Sequence, residues 1–257
     1  MTYIAVNGVT ATAGTLAMPA LNTYGHFTAM QVRDGRVRGL GLHLQRLDGS
    51  TRELYGSGLD GERVREEIRR GLSAAGVSDG SVRVYVYWPE GDERPTLMVT
   101  VREPRTMEPA PKRLLSVPYV RDHPHIKHLG SFGQNHALAV VSRAGYDEAL
   151  LTAPDGTVTE GAVTNIAFWD GTTAVWPEAP CLMGMTRSLL EPRLPSARRR
   201  VTLGDLPGYS AAFLTNSRGF APVSRIDTAE RTVEYAVDRA LMASVTSAYD
   251  AVEWDRV

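Results

Sequence analysis

Strand-forming and helix-forming runs alternate along this chain without the regular spacing of βαβ units. That irregularity constrains the fold more than any other feature, because it favours α+β lobes over a doubly wound parallel sheet. Phe27 to Val32 and Arg36 to Leu40 read as strands joined by Arg33-Asp34-Gly35, a hairpin signal. Leu44, Leu47 and Leu54 then fall at helical spacing. Val64, Ile68 and Leu72 recur every four residues within Gly61 to Gly76, which predicts an amphipathic helix stopped by the glycine. Val82 to Trp88 and Thr96 to Arg102 read as a second hairpin around Pro89-Glu90-Gly91-Asp92, and Tyr3 to Val6 and Lys112 to Tyr119 as further strands.

Pro124 disfavours helix at His123, so Arg121 to Pro124 reads as a linker, and the lobes are expected at 1–120 and 121–257. In the second lobe Asn135 to Ala144 is expected to be helical, ending at Gly145. Ala149 to Thr152, Thr164 to Trp169, Thr173 to Trp176 and Ala212 to Thr215 read as strands. Thr186 to Glu191 opens a short helix, with Thr186 as its cap. Val233, Val237, Leu241 and Val245 repeat every four residues, which predicts one carboxy-terminal helix. Arg198-Arg199-Arg200 reads as a solvated turn before a strand.

Composition narrows the function. A chain of 257 residues that is 43% hydrophobic can bury a real core, in one large domain or two small ones. Lys and Arg number 28 against 29 Asp and Glu, so no basic surplus points to nucleic acid. No apolar run approaches the length of a membrane span, and the strand-like start Met1 to Gly8 lacks the basic region of a signal peptide. The single cysteine, Cys181, leaves no intramolecular disulfide framework, so a reducing, cytoplasmic setting is expected.

Chemistry concentrates in a few places. Lysine is rare: only Lys112 and Lys127 occur, the latter in His125-Ile126-Lys127-His128-Leu129-Gly130. An isolated lysine is ordinarily just solvated, but a positioned amine can also attack a carbonyl. Glu160 ends the run Asp155-Gly156-Thr157-Val158-Thr159-Glu160-Gly161 and is followed by Thr164-Asn165-Ile166; by itself it is a carboxylate at a strand end. Leu182-Met183-Gly184-Met185-Thr186-Arg187 reads equally as a capped helix start and as an anion site, since helix amides serve both. His123, His125 and His128 invite a metal reading, but neither Cys nor paired carboxylates accompany them, so no metal is expected. Gly-x-Ser-x-Gly, Walker and Gly-x-Gly-x-x-Gly patterns are absent.

The order and flanks of Lys127 and Glu160, with Ala144-Gly145-Tyr146-Asp147-Glu148-Ala149-Leu150-Leu151 between them, resemble the fold-type IV pyridoxal-phosphate enzymes. These include branched-chain aminotransferases, D-amino-acid aminotransferases and aminodeoxychorismate lyases. The resemblance runs from about Tyr24 to Val223. It implies a two-lobed α+β fold of the D-amino-acid aminotransferase type, with pyridoxal 5′-phosphate between the lobes. Lys127 would be the Schiff-base and proton-transfer residue, and Glu160 would bond the pyridine nitrogen. Cofactor contacts would come from Arg46 of His43-Leu44-Gln45-Arg46-Leu47, from Asn165, from Met185 and Thr186, and from Ser217 of Thr215-Asn216-Ser217. Arg83 matches the strand arginine of the branched-chain group and shares a strand face with Tyr85; His26 and Thr28 are further substrate-side candidates. The resemblance implies an aminotransferase acting on small amino and keto acids, as a homodimer. Branched-chain aminotransferases carry a tyrosine where this chain has Phe132, and Tyr24 to Ala29 is a shortened form of a pocket-lining segment. The Phe27-Thr28 pair, the Thr215-Asn216-Ser217 loop and the missing tyrosine also resemble aminodeoxychorismate lyases, which keeps open a lyase that releases 4-aminobenzoate and pyruvate. A silent cofactor-binding protein is the remaining alternative.

Overall fold

In a computed structural model, which describes residues 2–257, the chain forms two compact units: Met1–Arg105 with Ile126–Gly130 and Glu253–Val257, and Thr106–His125 with Ser131–Val252. The division at 120/121 expected from the proline treated each lobe as one continuous segment. Contacts instead interleave them, because the segment carrying Lys127 pairs back onto the first unit.

The first unit contains β1 (Tyr3–Val6), β2 (Val9–Thr10), α1 (Ala13–Leu21), β3 (His26–Val32), β4 (Arg36–Arg38), α2 (Leu40–Tyr55), α3 (Gly61–Ala75), β5 (Gly80–Tyr87) and β6 (Thr96–Arg102). Its sheet runs β2-β1-β6-β5-β3, all neighbours antiparallel. The apolar stripe expected of α3 is present: Val64, Ile68 and Leu72 are buried with Leu40 and Leu47 of α2 against Val82, Val84, Val99 and Val101. Asp60 caps α3 by accepting from the Glu62 N–H, and Gly76 ends it at a φ of 67°, a conformation that favours glycine. The Arg33–Arg36 turn forms, but its two arms do not continue as a hairpin. β3 pairs with β5, and β4 pairs with the carboxy-terminal strand Trp254–Arg256. Apolar burial against two different partners outweighs the local turn.

The second unit contains β7 (Lys112–Pro118), α4 (Phe132–Arg143), β8 (Glu148–Thr152), β9 (Val158–Gly161), β10 (Asn165–Trp169), β11 (Ala174–Pro177), α5 (Met185–Leu190), β12 (Ser196–Arg199), β13 (Ala211–Asn216), β14 (Gly219–Asp227), β15 (Thr232–Glu234) and α6 (Arg239–Asp250). Its sheet runs β12-β11-β10-β13-β14-β7-β8-β9, with β15 joined to β14. One apolar layer gathers Leu114, Leu150, Phe168, Val175 and Ile226. A second packs Trp176 and Phe213 under Leu190 of α5 and Leu241 and Val245 of α6, and a third holds α4 on Ala149 and Leu151.

The valine–leucine repeat near the end is not one helix. Val233 is buried in β15 and Val237 is 40% exposed. The helix begins only after Asp238, whose carboxylate accepts from the Leu241 N–H at 2.9 Å. A capping residue decides the start, and the two upstream valines belong to other structure. Arg198 and Arg199 lie in β12 rather than in a turn, and Arg198, Arg199 and Arg200 pair with Glu191, Asp170 and Asp155. Among the described residues no helix is long and apolar enough to cross a membrane.

Candidate active site

In the first unit the site forms where Ile126–Gly130 adds to the end of β3. The Phe27 N–H donates to the Lys127 carbonyl at 2.9 Å, and the Leu129 N–H to the Gly25 carbonyl at 2.9 Å. Gly25 permits this approach: a Cβ there would lie 2.7 Å from the Val86 carbonyl and 3.0 Å from Leu129. These bonds bring the Lys127 ammonium to 4.9 Å from the centre of the Phe27 ring.

Strand alternation then sorts the candidates by face. The register sets Phe27 opposite Tyr85 and Ala29 opposite Arg83. Phe27 stacks on Tyr85 at 5.3 Å, the Arg83 guanidinium lies 5.7 Å from the Phe27 ring, and Arg83 donates to the Tyr85 hydroxyl at 3.4 Å. Phe27, Arg83, Tyr85 and the Lys127 amine thus form one cluster. Phe27 was absent from the residues expected at the site. Strand alternation sets Phe27 on the face opposite His26 and Thr28, and nothing in the sequence gives the β3–β5 register that brings it to Tyr85 and Arg83.

His26 and Thr28 do not join that cluster. Both are fully buried on the opposite face of β3, which packs against α2. The Thr28 hydroxyl lies 2.6 Å from His43 Nδ1. His26 Nε2 lies 3.0 Å from the Thr51 hydroxyl, and that hydroxyl donates to the Leu47 carbonyl at 2.7 Å. The Thr51 oxygen therefore accepts, Nε2 of His26 carries the proton, and its buried Nδ1 has no partner. Burial holds the His26 pKa down to about 4. Burial, and then the positive charges of Arg46 and Lys127, lower that of His43 to about 3. Arg46 and Lys127 therefore act on the same buried imidazole, which stays neutral and adds no charge of its own.

In the second unit Glu160 is buried at the end of β9. Its Oε1 accepts from Arg121 Nη1 at 3.3 Å and its Oε2 from the Leu182 N–H at 3.2 Å. Arg121 is itself buried; its Nε donates to Gln134 at 2.8 Å and its Nη1 to the Pro124 carbonyl at 3.0 Å. Arg121 lies in the segment that the sequence marks as a linker, where nothing local distinguishes it from a solvated arginine. Asn165 ties the neighbouring loop: its amide donates to the Leu182 carbonyl at 2.7 Å and its Oδ1 accepts from the Gly184 N–H at 2.9 Å. A side chain on Gly184 would collide with that oxygen.

The helix after this loop is capped by Gly184, not by Thr186, which sits inside the first turn of α5. The Thr186 hydroxyl is instead spent across to the Asn216 carbonyl at 2.6 Å. That bond joins the Gly184–Thr186 segment to the end of β13, where the chain turns at Ser217. Next to Asn216, the Thr215 hydroxyl is buried without a partner. The residues expected to hold a phosphate, Met185, Thr186 and Ser217, therefore lie on two segments fastened together. Phe132, by contrast, is 81% exposed and stacks on His136 at 5.7 Å. His123 and His125 lie 6.5 Å apart ring to ring, and among the described residues no group of His, Cys, Asp or Glu forms a metal-ligand set.

Glu148 is a further buried carboxylate, at the start of β8. Burial pushes its pKa up to about 7 against the pull of its hydrogen-bond donors.

The profile of class IV aminotransferases matches residues 25–226, and the chain belongs to that family. No curated protein sequence matches it. Its fold is similar to that of a fold IV transaminase from Curtobacterium pusillum, at 23% identity and a TM-score of 0.80 over 98% of this chain and 99% of that one. It is also similar to a hypothetical aminotransferase from Mycobacterium tuberculosis in its alpha-ketoglutarate and PMP bound form, at 20% identity and a TM-score of 0.80 over 97% and 98%. A putative 4-amino-4-deoxychorismate lyase from Legionella pneumophila matches at 20% identity and a TM-score of 0.79 over 90% and 92%.

Proposed function

We propose that this protein is a pyridoxal-phosphate-dependent aminotransferase that moves an amino group between an amino acid or amine and a keto acid. The observation that carries the reading is the cluster of the Lys127 amine with Phe27, Arg83 and Tyr85, in a chain whose residues 25–226 match the class IV aminotransferase profile. The fastened Thr186 and Asn216 segments and the orphaned Thr215 hydroxyl fit a phosphate in the second unit.

Bound pyridoxal phosphate supplies an aldehyde that joins the substrate amine and a ring that withdraws electrons from the substrate's α-carbon. The chain supplies the rest. Lys127 holds the cofactor covalently and, once displaced, takes the proton from the α-carbon with Nζ. Glu160, whose carboxylate accepts from Arg121 and from the Leu182 N–H, would hold a proton at the ring nitrogen. Arg46, Met185, Thr186 and Ser217 bind phosphate, and Asn165 holds the loop that presents them. Arg83 and Tyr85 orient the substrate carboxylate, while His26 and Thr28 support this arrangement from behind the strand. Homodimer assembly and a cytoplasmic location complete the proposal.

Phe132 favours a second reading. Its ring cannot make the hydrogen bond that the corresponding tyrosine gives branched-chain aminotransferases, and the putative 4-amino-4-deoxychorismate lyase from Legionella pneumophila has a similar fold. Under that reading Lys127 takes the α-proton of 4-amino-4-deoxychorismate, and 4-aminobenzoate and pyruvate leave.

The test is spectroscopic and chemical. Purified protein is expected to be yellow, and borohydride to fix the cofactor on Lys127. Keto-acid-dependent amino transfer is assayed beside pyruvate release from aminodeoxychorismate. Transfer absent with all common donors, with pyruvate released, replaces the first reading by the second. A Lys127→Ala variant with normal turnover refutes the assigned role.

A further inference from the structure

Glu148 performs no step in the chemistry above, yet it is buried in the second unit beside the segment that carries Glu160 and Asn165. Its carboxylate is 3% exposed. Oε1 accepts from the Ala149 N–H at 3.0 Å and Oε2 from the Thr164 hydroxyl at 3.1 Å, while the Ala162 N–H donates to the Ala149 carbonyl at 3.1 Å. Thr164 belongs to the turn Ala162–Thr164, which is closed by the Gly161 N–H donating to the Thr164 carbonyl at 2.8 Å and tied to β8 by the Ala162 N–H.

That turn is the connection between β9 and β10. Glu160 lies two residues before it and Asn165 directly after it. The ladder explains how Glu148 reaches it. Leu150 pairs with Gly161 and Leu151 with Glu160, so residue 148 extends beyond the last pair and over the turn. Strand alternation puts Glu148 on the face of Leu150 and Glu160 on the face of Leu151, so the two carboxylates do not compete for donors. Gly161 completes the fit: a Cβ there would lie 3.2 Å from Glu148 Cγ and would collide with the Thr164 hydroxyl.

A buried carboxylate bonded to a side chain of a short turn ties that turn to the strand that carries it, and losing the acceptor leaves the buried hydroxyl unsatisfied. We infer that Glu148 is a positioning residue: its carboxylate holds the turn Ala162–Thr164, and through that turn sets where Glu160 and Asn165 stand toward the cofactor. The inference rests on the cofactor reading given above. It assigns Glu148 no contact with cofactor or substrate.

The experiment compares the full-length wild type with Glu148→Gln and Thr164→Val. Glu148→Gln keeps the shape but leaves only one side-chain oxygen for the Ala149 N–H and the Thr164 hydroxyl. Thr164→Val removes one donor and leaves the carboxylate. Two readouts are taken on the unloaded chain. The first is hydrogen exchange at the amides of residues 161–165. The second is the affinity for added pyridoxal 5′-phosphate, followed by absorbance. In Glu148→Gln, exchange at 161–165 is expected to accelerate selectively, and affinity to fall roughly tenfold, the size of one lost hydrogen bond to a charged group. Thr164→Val is expected to move both readouts the same way by a smaller factor, and the double variant to fall short of the sum. A drop in melting temperature with unchanged affinity makes Glu148 merely structural and overturns the inference; so does unchanged exchange at 161–165. If Glu148→Gln fails to fold, Thr164→Val decides by the same two readouts. A wild-type chain that binds no pyridoxal phosphate removes the cofactor reading instead, and the exchange readout still decides whether Glu148 holds the turn.

Discussion

Arg121 and Glu160 form a buried ion pair, with Nη1 3.3 Å from Oε1 and side chains 3% and 7% exposed. Such a pair adds little net stability over an apolar one, but removing one partner strands the other charge. Arg121→Met is therefore expected to cost about 3–5 kcal/mol in denaturant unfolding. Adding Glu160→Gln to that variant is expected to recover a large part of the loss, because it removes the stranded charge. Additive losses would show that the pair is not coupled.

Gly184 stands against Asn165 Oδ1, where its N–H donates at 2.9 Å. Gly184→Ala forces the Asn165 amide from both of its loop bonds. A destabilisation of about 1–3 kcal/mol is expected from the lost buried bonds, with weakened phosphate affinity. Titration with inorganic phosphate alongside thermal melting measures both, and an unchanged phosphate affinity would contradict the loop's assigned role.

Arg46 lowers the pKa of His43 through its charge, second to burial. Arg46→Met is thus expected to raise the His43 pKa while leaving the ring neutral at pH 7, and to weaken pyridoxal-phosphate binding by tenfold or more. Imidazole chemical shifts across a pH series report the first, and equilibrium titration the second. A His43 pKa that stays put would place Arg46 elsewhere than beside it.

Acid sensitivity follows from three buried groups. His26 and His43 are held down at about 4 and about 3 from 6.5, so the unfolded chain binds protons there first. Their stabilisation is present above pH 6.5 and is lost as pH falls through the folded values. Glu148 is raised from 4.5 to about 7 and acts oppositely: its contribution is full below pH 4.5 and is lost as pH rises through about 7. Between pH 4.5 and 6.5 two protons oppose one, so stability is expected to fall on acidification by about 1.4 kcal/mol per pH unit at most. In His43→Gln the remaining histidine and Glu148 nearly cancel, and the slope is expected to flatten. Denaturant melts across that range check the sign and the change.

The sequence by itself determined the local elements and the class of chemistry. Val64, Ile68 and Leu72 wrote the stripe of α3, the 82–88 and 96–102 runs wrote a real hairpin, and the Lys127 and Glu160 flanks carried the family. These signals are local: periodicity, turn residues and short motifs report what a segment can do with its own neighbours. Tertiary structure decided what depends on partners distant in sequence. It chose β5 over β4 as the partner of β3, so that Phe27 faces Lys127 while His26 and Thr28 turn to α2. It returned Ile126–Gly130 to the first unit, turned a linker arginine into the partner of Glu160, and split the terminal valine repeat between a strand and a helix. The physical reason is the same in each case. Burial and ladder pairing are worth more than a local turn or a spacing pattern, and which surfaces meet is set only when the whole chain closes on its cores.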